Sequence, residues 1–371
     1  MPCVRWGRNL DEAGVAVTGT ARDVVVVGGG PVGLAAALYA VRSGLSVVVL
    51  EPREGVVDKA CGEGLMPGGV QALSGLGVEA VGRDLAGIRY VAGARVAEAD
   101  FADGTGRGVR RTALHERLRA ALAAAGGEVL PLAASDVAQT GERVRVRTRE
   151  SGRAVGPDLF GRYVLAADGL HSPTRRALGL QAPIRGPQRF GQRRHYGTRP
   201  WSSHVEVHWG RHGEAYVTPV ADDLVGVAVL SARRATFAEQ LGEFPVLRER
   251  LVGASATTAV RGAGPLRQRA ARRVAGRVLL VGDAAGYVDA LTGEGISLGL
   301  AQARAAVAAV AADRPVGYER EWRRVSRRYA VLTHTLVQAT RPAWARRAVV
   351  PVAVALPAAF RAAVNELGRP H

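Results

Sequence analysis

Val24-Val25-Val26-Val27-Gly28-Gly29-Gly30-Pro31-Val32-Gly33 decides the fold of this chain. Four β-branched residues lead into G-x-G-x-x-G, and an alanine-rich helical run, Leu34 to Arg42, follows. An unbroken apolar run of this kind predicts a strand buried on both faces. Gly28 permits the tight turn out of the strand, Gly30 lets a pyrophosphate approach the bare backbone, and Gly33 allows close helix–strand packing. Pro31, within the same turn, is a candidate cofactor-binding residue together with these glycines. The helix N-terminus then offers free N–H groups and the positive end of its dipole to phosphates. A second strand, Ser46 to Leu50, ends in Glu51, 18 residues beyond Gly33. That is close to the ~20-residue spacing at which an acid reaches a ribose hydroxyl. The whole unit predicts a dinucleotide site.

The 371-residue chain can hold two domains, and 47% hydrophobic residues can supply a core. No apolar run reaches 18 residues, so no transmembrane helix is expected. The first twenty residues lack the apolar stretch of a signal peptide and read as a flexible leader. Two cysteines, Cys3 and Cys61, exclude a disulfide framework and a cysteine-rich zinc site, and they fit a reducing cytoplasmic setting. The formal net charge of +17 invites a nucleic-acid reading. Lys59 is the sole lysine, however, and the arginines scatter without a stripe, so no nucleic-acid partner is expected. The positive field would favour anionic cofactors.

Further along, Pro67 to Leu73 reads as a short helix with Gly75 near its end, and Gly87 to Phe101 as two strands. Arg111 to Ala125 is an amphipathic helix closed by Gly126-Gly127. Strands are expected at Glu128–Leu130, Arg143–Arg149 and Tyr163–Ala167, the last running into Asp168-Gly169. Aromatic residues then concentrate in Phe190, Tyr196, Trp201, Trp209 and Tyr216, although the chain is only 5% aromatic. This antiparallel, sheet-rich insert, with strands at Ala215–Val220 and Leu224–Leu230, is a candidate substrate wall. His204, Glu206 and His208 share one strand face; they read as a polar outer face, with two-residue metal chelation as the rival. A helix is expected from Phe237 to Leu251, and a buried strand at Arg277–Val281 runs into Gly282-Asp283. Helices fill Ile296–Ala312 and Tyr318–Leu367, the latter with breaks at Pro342 and Pro351. The apolar run Ala348 to Phe360 is too short to span a bilayer; it reads as a cover for the cavity or a peripheral membrane contact.

Three motifs stand in order: Gly28-x-Gly30-x-x-Gly33 with Glu51, Ala167-Asp168-Gly169-Leu170-His171-Ser172, and Gly282-Asp283-Ala284-Ala285-Gly286. Together they resemble the FAD-dependent oxidoreductases that include para-hydroxybenzoate hydroxylase and geranylgeranyl reductase, over roughly residues 23–328. The resemblance implies an α/β fold: a Rossmann-type parallel-sheet FAD-binding domain (21–75, 102–175, 262–315), an antiparallel β-rich substrate domain (76–101, 176–261) and a C-terminal helical segment (316–371). It implies that Glu51 binds the adenosine ribose, that Arg111 contacts FAD, that Asp168 and Gly169 lie near the pyrophosphate, and that Asp283 accepts from the ribityl chain. Gly293, Gly295 and Ile296 would place bare backbone beside the flavin. The helix that follows would aim its N-terminus at the flavin N1–C2=O edge.

Within this superfamily, Gly286 stands where aromatic hydroxylases carry His, Ala290 where they carry Pro, and Ser297 where they carry Asn. Leu291-Thr292-Gly293-Glu294-Gly295-Ile296 resembles the geranylgeranyl reductase motif, as does Cys61-Gly62-x-Gly64 with Pro67. Candidate catalytic groups are Cys61, Glu63 and Glu294, each with a packed or solvated alternative. No second G-x-G-x-x-G follows a strand, so NAD(P)H would visit the flavin transiently. The sequence therefore points to an FAD-dependent, NAD(P)H-using reductase of C=C bonds in a hydrophobic molecule, an isoprenoid or polyketide of secondary metabolism. A monooxygenase and a non-catalytic FAD-containing carrier are the alternatives.

Overall fold

The computed structural model describes residues 21–150, 155–184, 186 and 188–370. The expected leader, residues 1–20, lies outside the described residues. In chain order, the elements that build the site are strands β1 (Arg22–Val27), β2 (Val47–Leu50), β3 (Gly87–Ala92), β4 (Arg95–Asp100), β5 (Glu128–Leu130), β6 (Leu159–Ala166), β7 (Phe190–Gly197), β8 (Val205–Trp209), β9 (Gly213–Ala221), β10 (Leu224–Ser231) and β11 (Val278–Leu280). The helices are α1 (Pro31–Arg42), α2 (Pro67–Gly75), α3 (Arg111–Ala124), α4 (Gly295–Ala311), α5 (Gly317–Ala339), α6 (Ala343–Ala355) and α7 (Pro357–Gly368).

The first sheet runs β11-β6-β1-β2-β5, all parallel. Val24 to Val27 and Val47 to Leu50 are buried on both faces, as their continuous apolar runs require. Helices α1, α3 and α4 pack on one face around Leu34, Leu118 and Leu300, each 0% exposed. A hairpin of Leu132–Gln139 and Val144–Glu150 extends the sheet antiparallel beside β6; its first strand has no clear alternation and is not evident in the sequence.

The second sheet runs β7-β10-β9-β8-β3-β4. Its pairs are antiparallel except β8 with β3, which is parallel because the chain crosses the first sheet between them. Helices α6 and α7 cover the end of this sheet at β3, β4 and β8. Their Ala353, Phe360, Val364 and Leu367 join a core with Ile88, Val205 and Val207.

Three local expectations are corrected. The Phe237–Leu251 segment is two short helices, Phe237–Leu241 and Pro245–Arg250. Phe244 sits at φ −118°, ψ 74°, because the residue before a proline is pushed out of the helical region. Pro351 does not break its helix but lies inside α6; the break falls at Leu356, which precedes Pro357. Gly75 remains within α2, and Gly77, at φ +66°, makes the turn after it.

Candidate functional site

Register alone brings the three motifs together. Val27 pairs with Leu50 and with Ala166, and Ala166 pairs with Leu280. Gly28, Glu51, Ala167 and Val281 therefore emerge side by side at the carboxyl ends of the parallel strands, where open α/β sheets hold their ligands. Ala167 N–H donates to Val27 O at 2.8 Å and Val281 N–H to Ala166 O at 2.9 Å, which locks this edge.

The first turn is close-packed except where a ligand would need room. A Cβ on Gly33 would stand 1.8 Å from Gly28 O, and one on Gly28, already at φ +104°, would stand 2.5 Å from Ala167 O. A Cβ on Gly30 would meet nothing nearer than the Arg111 guanidinium at 3.8 Å. Gly30 caps α1 without a side-chain partner, and Pro31 follows at the first turn, so the helix N-terminus opens onto this space.

Glu51 is 2% exposed. Its carboxylate accepts from Gly29 N–H at 3.1 Å and from Arg53 Nε and Nη2 at 2.8 and 2.9 Å. Burial alone would raise its pKa, but the Arg53 and Gly29 hydrogen bonds outweigh this and hold it below the ordinary carboxylate range. His115, one turn after Arg111, donates from Nε2 to Gly29 O at 2.9 Å. Asp168 Oδ2 accepts from Thr174 N–H at 3.0 Å, and Oδ1 is buried with no hydrogen-bond partner among the described residues. Gly169, at φ +85°, lies beneath Lys59 Nζ. Burial, with Arg53 and Arg111 nearby, pushes the Lys59 ammonium below the usual lysine range. Asp283 faces the same space, and burial raises its carboxyl against the pull of Arg111, Lys59 and Arg175.

All of this opens into a cavity of about 1720 Å³. Single-ligand sites occupy roughly 300–1,000 Å³, so the volume accommodates a cofactor and a further molecule. One end is walled by Gly28, Gly30, Pro31, Glu51, Arg111, Asp168, Gly169 and Asp283. The other is walled by Ile88, Tyr90, Val205, Val207, Tyr216 and Leu230 of the second sheet. Gly293, Gly295 and Ile296 also line it, at the N-terminus of α4. Gly33 and Gly282 stand behind the wall and do not line it.

The three candidate acids separate. Cys61 lines the cavity, and burial pushes its thiol up, so it holds its proton. Glu63 also lines it, at φ +60°, but both its oxygens are engaged: Oε1 accepts from Arg111 N–H at 2.9 Å, and Oε2 from His195 Nε2 at 2.6 Å. Glu294 is set apart from the other two. It is 1% exposed, lies outside the cavity wall, and has the Arg328 guanidinium 3.9 Å away.

His204, Glu206 and His208 are also corrected. They are buried, not an outer face, at 7%, 4% and 4% exposure. Trp201 Nε1 donates to Glu206 at 2.8 Å, and His208 lies 3.2 Å from the same carboxylate. Among the described residues no group of three or more His, Cys, Asp or Glu is placed to hold a metal. Sequence reasoning missed Arg53, Lys59, Arg193 and His195. The signal for the first two was proximity to Glu51 and Cys61; the others carry none, since β7 reaches the site only through tertiary packing.

The model of a family described as "FAD binding domain" matches residues 21–313. The chain belongs to this FAD-binding domain family. Among curated relatives, the flavoprotein is 31% identical to a menaquinone reductase of Mycobacterium tuberculosis over 318 residues, covering 76% of this chain and 75% of the relative. It is 29% identical over 307 residues to digeranylgeranylglycerophospholipid reductase 1 of Methanothermobacter thermautotrophicus, covering 75% and 74%. Among solved structures, p-nitrophenol 4-monooxygenase PnpA of Pseudomonas putida superposes with TM-score 0.77 at 22% identity over 95% of this chain and 99% of that one. A geranylgeranyl bacteriochlorophyll reductase-like protein of Thermoplasma acidophilum superposes with TM-score 0.70 at 22% identity, covering 84% and 83%. These superpositions speak for the fold alone. The flavoprotein is an FAD-dependent oxidoreductase.

Proposed function

We propose that this oxidoreductase uses NAD(P)H to add two hydrogens across a C=C bond of a hydrophobic small molecule, an isoprenoid or polyketide. The observation that carries the reading is the continuity of the cavity. Its charged end meets the dinucleotide loop, and its apolar end is a chamber of aliphatic and aromatic side chains. The curated relatives named above are both reductases, which supports reduction over oxygenation.

The residues present fit FAD. The open face of Gly30 and the α1 N-terminus suit a pyrophosphate, and Arg111 supplies its countercharge. Glu51 suits the adenosine ribose, and the Asp283 carboxyl and the unpartnered Asp168 Oδ1 suit hydroxyl or amide donors. Gly293 and Gly295, with Ile296, would bring bare backbone beside a flavin ring, and the α4 dipole would favour negative charge there. Bound flavin would supply hydride acceptance from a nicotinamide and delivery to the substrate. The Cys61 thiol holds a proton at the cavity wall, and the backbone of Glu63, two residues on in the same loop, orients it: Glu63 N–H donates to Cys61 Sγ at 3.4 Å. Arg53, Lys59 and Arg111 give the charged end a positive rim that suits a visiting NAD(P)H.

The test is anaerobic incubation with NADPH and a polyunsaturated isoprenoid such as a menaquinone, followed by mass spectrometry. A product heavier by two hydrogens is expected. Incubation in labelled O₂ separates the monooxygenase alternative: label in the product overturns the reductase reading. Absence of turnover with any reductant would assign the carrier role instead.

A further inference from the structure

Among the described residues nothing covers the outer face of the C-terminal helix pair. From Ala348 to Ala363 the only charged side chain is Arg361. The inner face of that stretch is accounted for: Val350, Ala353, Phe360 and Val364 are buried, and the Phe360 ring lies 4.8 Å from Tyr90 at the chamber wall. The outer face is just as apolar. Trp344 is 74% exposed, Val352 52%, Val354 47% and Leu356 56%. At 100° per residue, Trp344, Pro351, Val352 and Ala355 form one stripe along α6, opposite Val350 and Ala353. The two helices meet at 105°, so Leu356 and Pro357 form an apolar knuckle at the bend. A helix apolar on every side normally has both faces covered.

We infer that this knuckle docks into the surface of an anionic lipid bilayer, with the α6 stripe and the Leu356–Pro357 corner inserted at headgroup depth. Charge selects this occupant. Residues 331–371 contain five arginines and one acid, Glu366, which pairs with Arg369 at 2.8 Å. Arg341, Arg347 and Arg361 are exposed around the apolar stripe. A second copy of the chain docked face to face would set these arginines against their own kind, whereas anionic headgroups would meet them. Trp344 has the amphipathic ring favoured at the membrane interface. Among the described residues no single helix is long and apolar enough to cross, and although α6 and α7 together reach the length and composition of a span, their 105° bend lays the pair along the interface rather than through it. The same helices close the apolar chamber from outside, which places a lipid surface against the compartment that would receive a hydrophobic substrate. The inference concerns where the protein sits and stands whether the bound flavin reduces or oxygenates.

Flotation of the FAD-loaded full chain with vesicles is the test. Phosphatidylcholine vesicles containing phosphatidylglycerol are expected to carry the protein upward, and pure phosphatidylcholine vesicles are not. Raising the ionic strength from about 0.1 M to about 1 M, which cuts the Debye length from about 10 to about 3 Å, is expected to weaken binding. Arg347→Gln is expected to weaken it about fivefold. The double variant Val352→Glu/Leu356→Glu is expected to lose flotation while its FAD content and melting temperature stay at wild-type values. Both positions are solvent-exposed, so the fold tolerates them. A blue shift of tryptophan emission on vesicles that vanishes in Trp344→Phe would add independent support. Failure to float on anionic vesicles overturns the inference, as does equal flotation on both vesicle types. A dimer in sedimentation analysis that the double variant dissolves, with no flotation, would assign the face to a second copy instead.

Discussion

Glu63 Oε2 lies 2.6 Å from His195 Nε2, and that contact ties the loop after β2 to β7 in the second sheet. Arg193 Nη1, which can only donate, lies 3.1 Å from His195 Nδ1, so Nδ1 accepts and Nε2 carries the proton toward Glu63. Arg193 also grips Asp58 and donates to Lys59 O at 3.1 Å. The clamp is almost wholly buried, and replacing His195 by Ala leaves a carboxylate short of a donor. A loss of about 1.5–3 kcal/mol is expected in denaturant unfolding. A change no larger than that of a surface substitution would remove the clamp role.

The two glycines of the turn should fail differently. Gly33→Ala drives a methyl into Gly28 O and is expected to prevent stable folding. Gly30 has φ −70°, ψ 174°, which alanine adopts freely, and there is space for a methyl. Gly30→Ala should therefore keep the apoprotein's melting temperature and lower the flavin-to-protein absorbance ratio. Equal loss of fold in both variants would contradict the open-cradle reading.

Asp283 predicts a conflict between stability and binding. Burial raises its folded pKa above the ordinary 3.8. A raised carboxyl contributes stability that is present below the unfolded value and lost as pH rises through the folded one. At neutral pH the apoprotein thus holds an unfavourable charge. Asp283→Asn is expected to raise the apoprotein melting temperature by roughly 1–2 °C, about 1 kcal/mol, while weakening FAD. The gain should disappear in acid. An apoprotein destabilised by this change at pH 7 would argue against it.

Arg189 is buried between Glu214 and Asp289, lying 3.3 Å from the latter. Burial raises both carboxyls even with Arg189 present. Arg189→Met leaves two acids without their cation and is expected to cost about 3–5 kcal/mol. Their folded pKa values would rise further, so the loss should be larger at pH 8 than at pH 5. A pH-independent loss would point to packing alone.

What the sequence determined by itself is the dinucleotide unit, because strand, turn and helix are set by neighbours within about thirty residues. Continuous valine runs foretold burial on both faces of β1 and β2. The order of the three motifs carried the family resemblance, whereas the register of the parallel sheet joined their strand ends. Alternation in Ser203–Trp209 separated two faces but could not say what would cover them. Groups from outside β8 decided it: Trp201 and Arg89 meet Glu206, Asp100 of β4 meets His204, and all three residues are buried. Glu63 and Glu294 look alike in their Gly-flanked loops, yet one faces His195 in the cavity wall and the other Arg328 behind it. Only tertiary packing decided these, since the partners lie 132 and 34 positions away, and no local spacing rule encodes a contact across that distance.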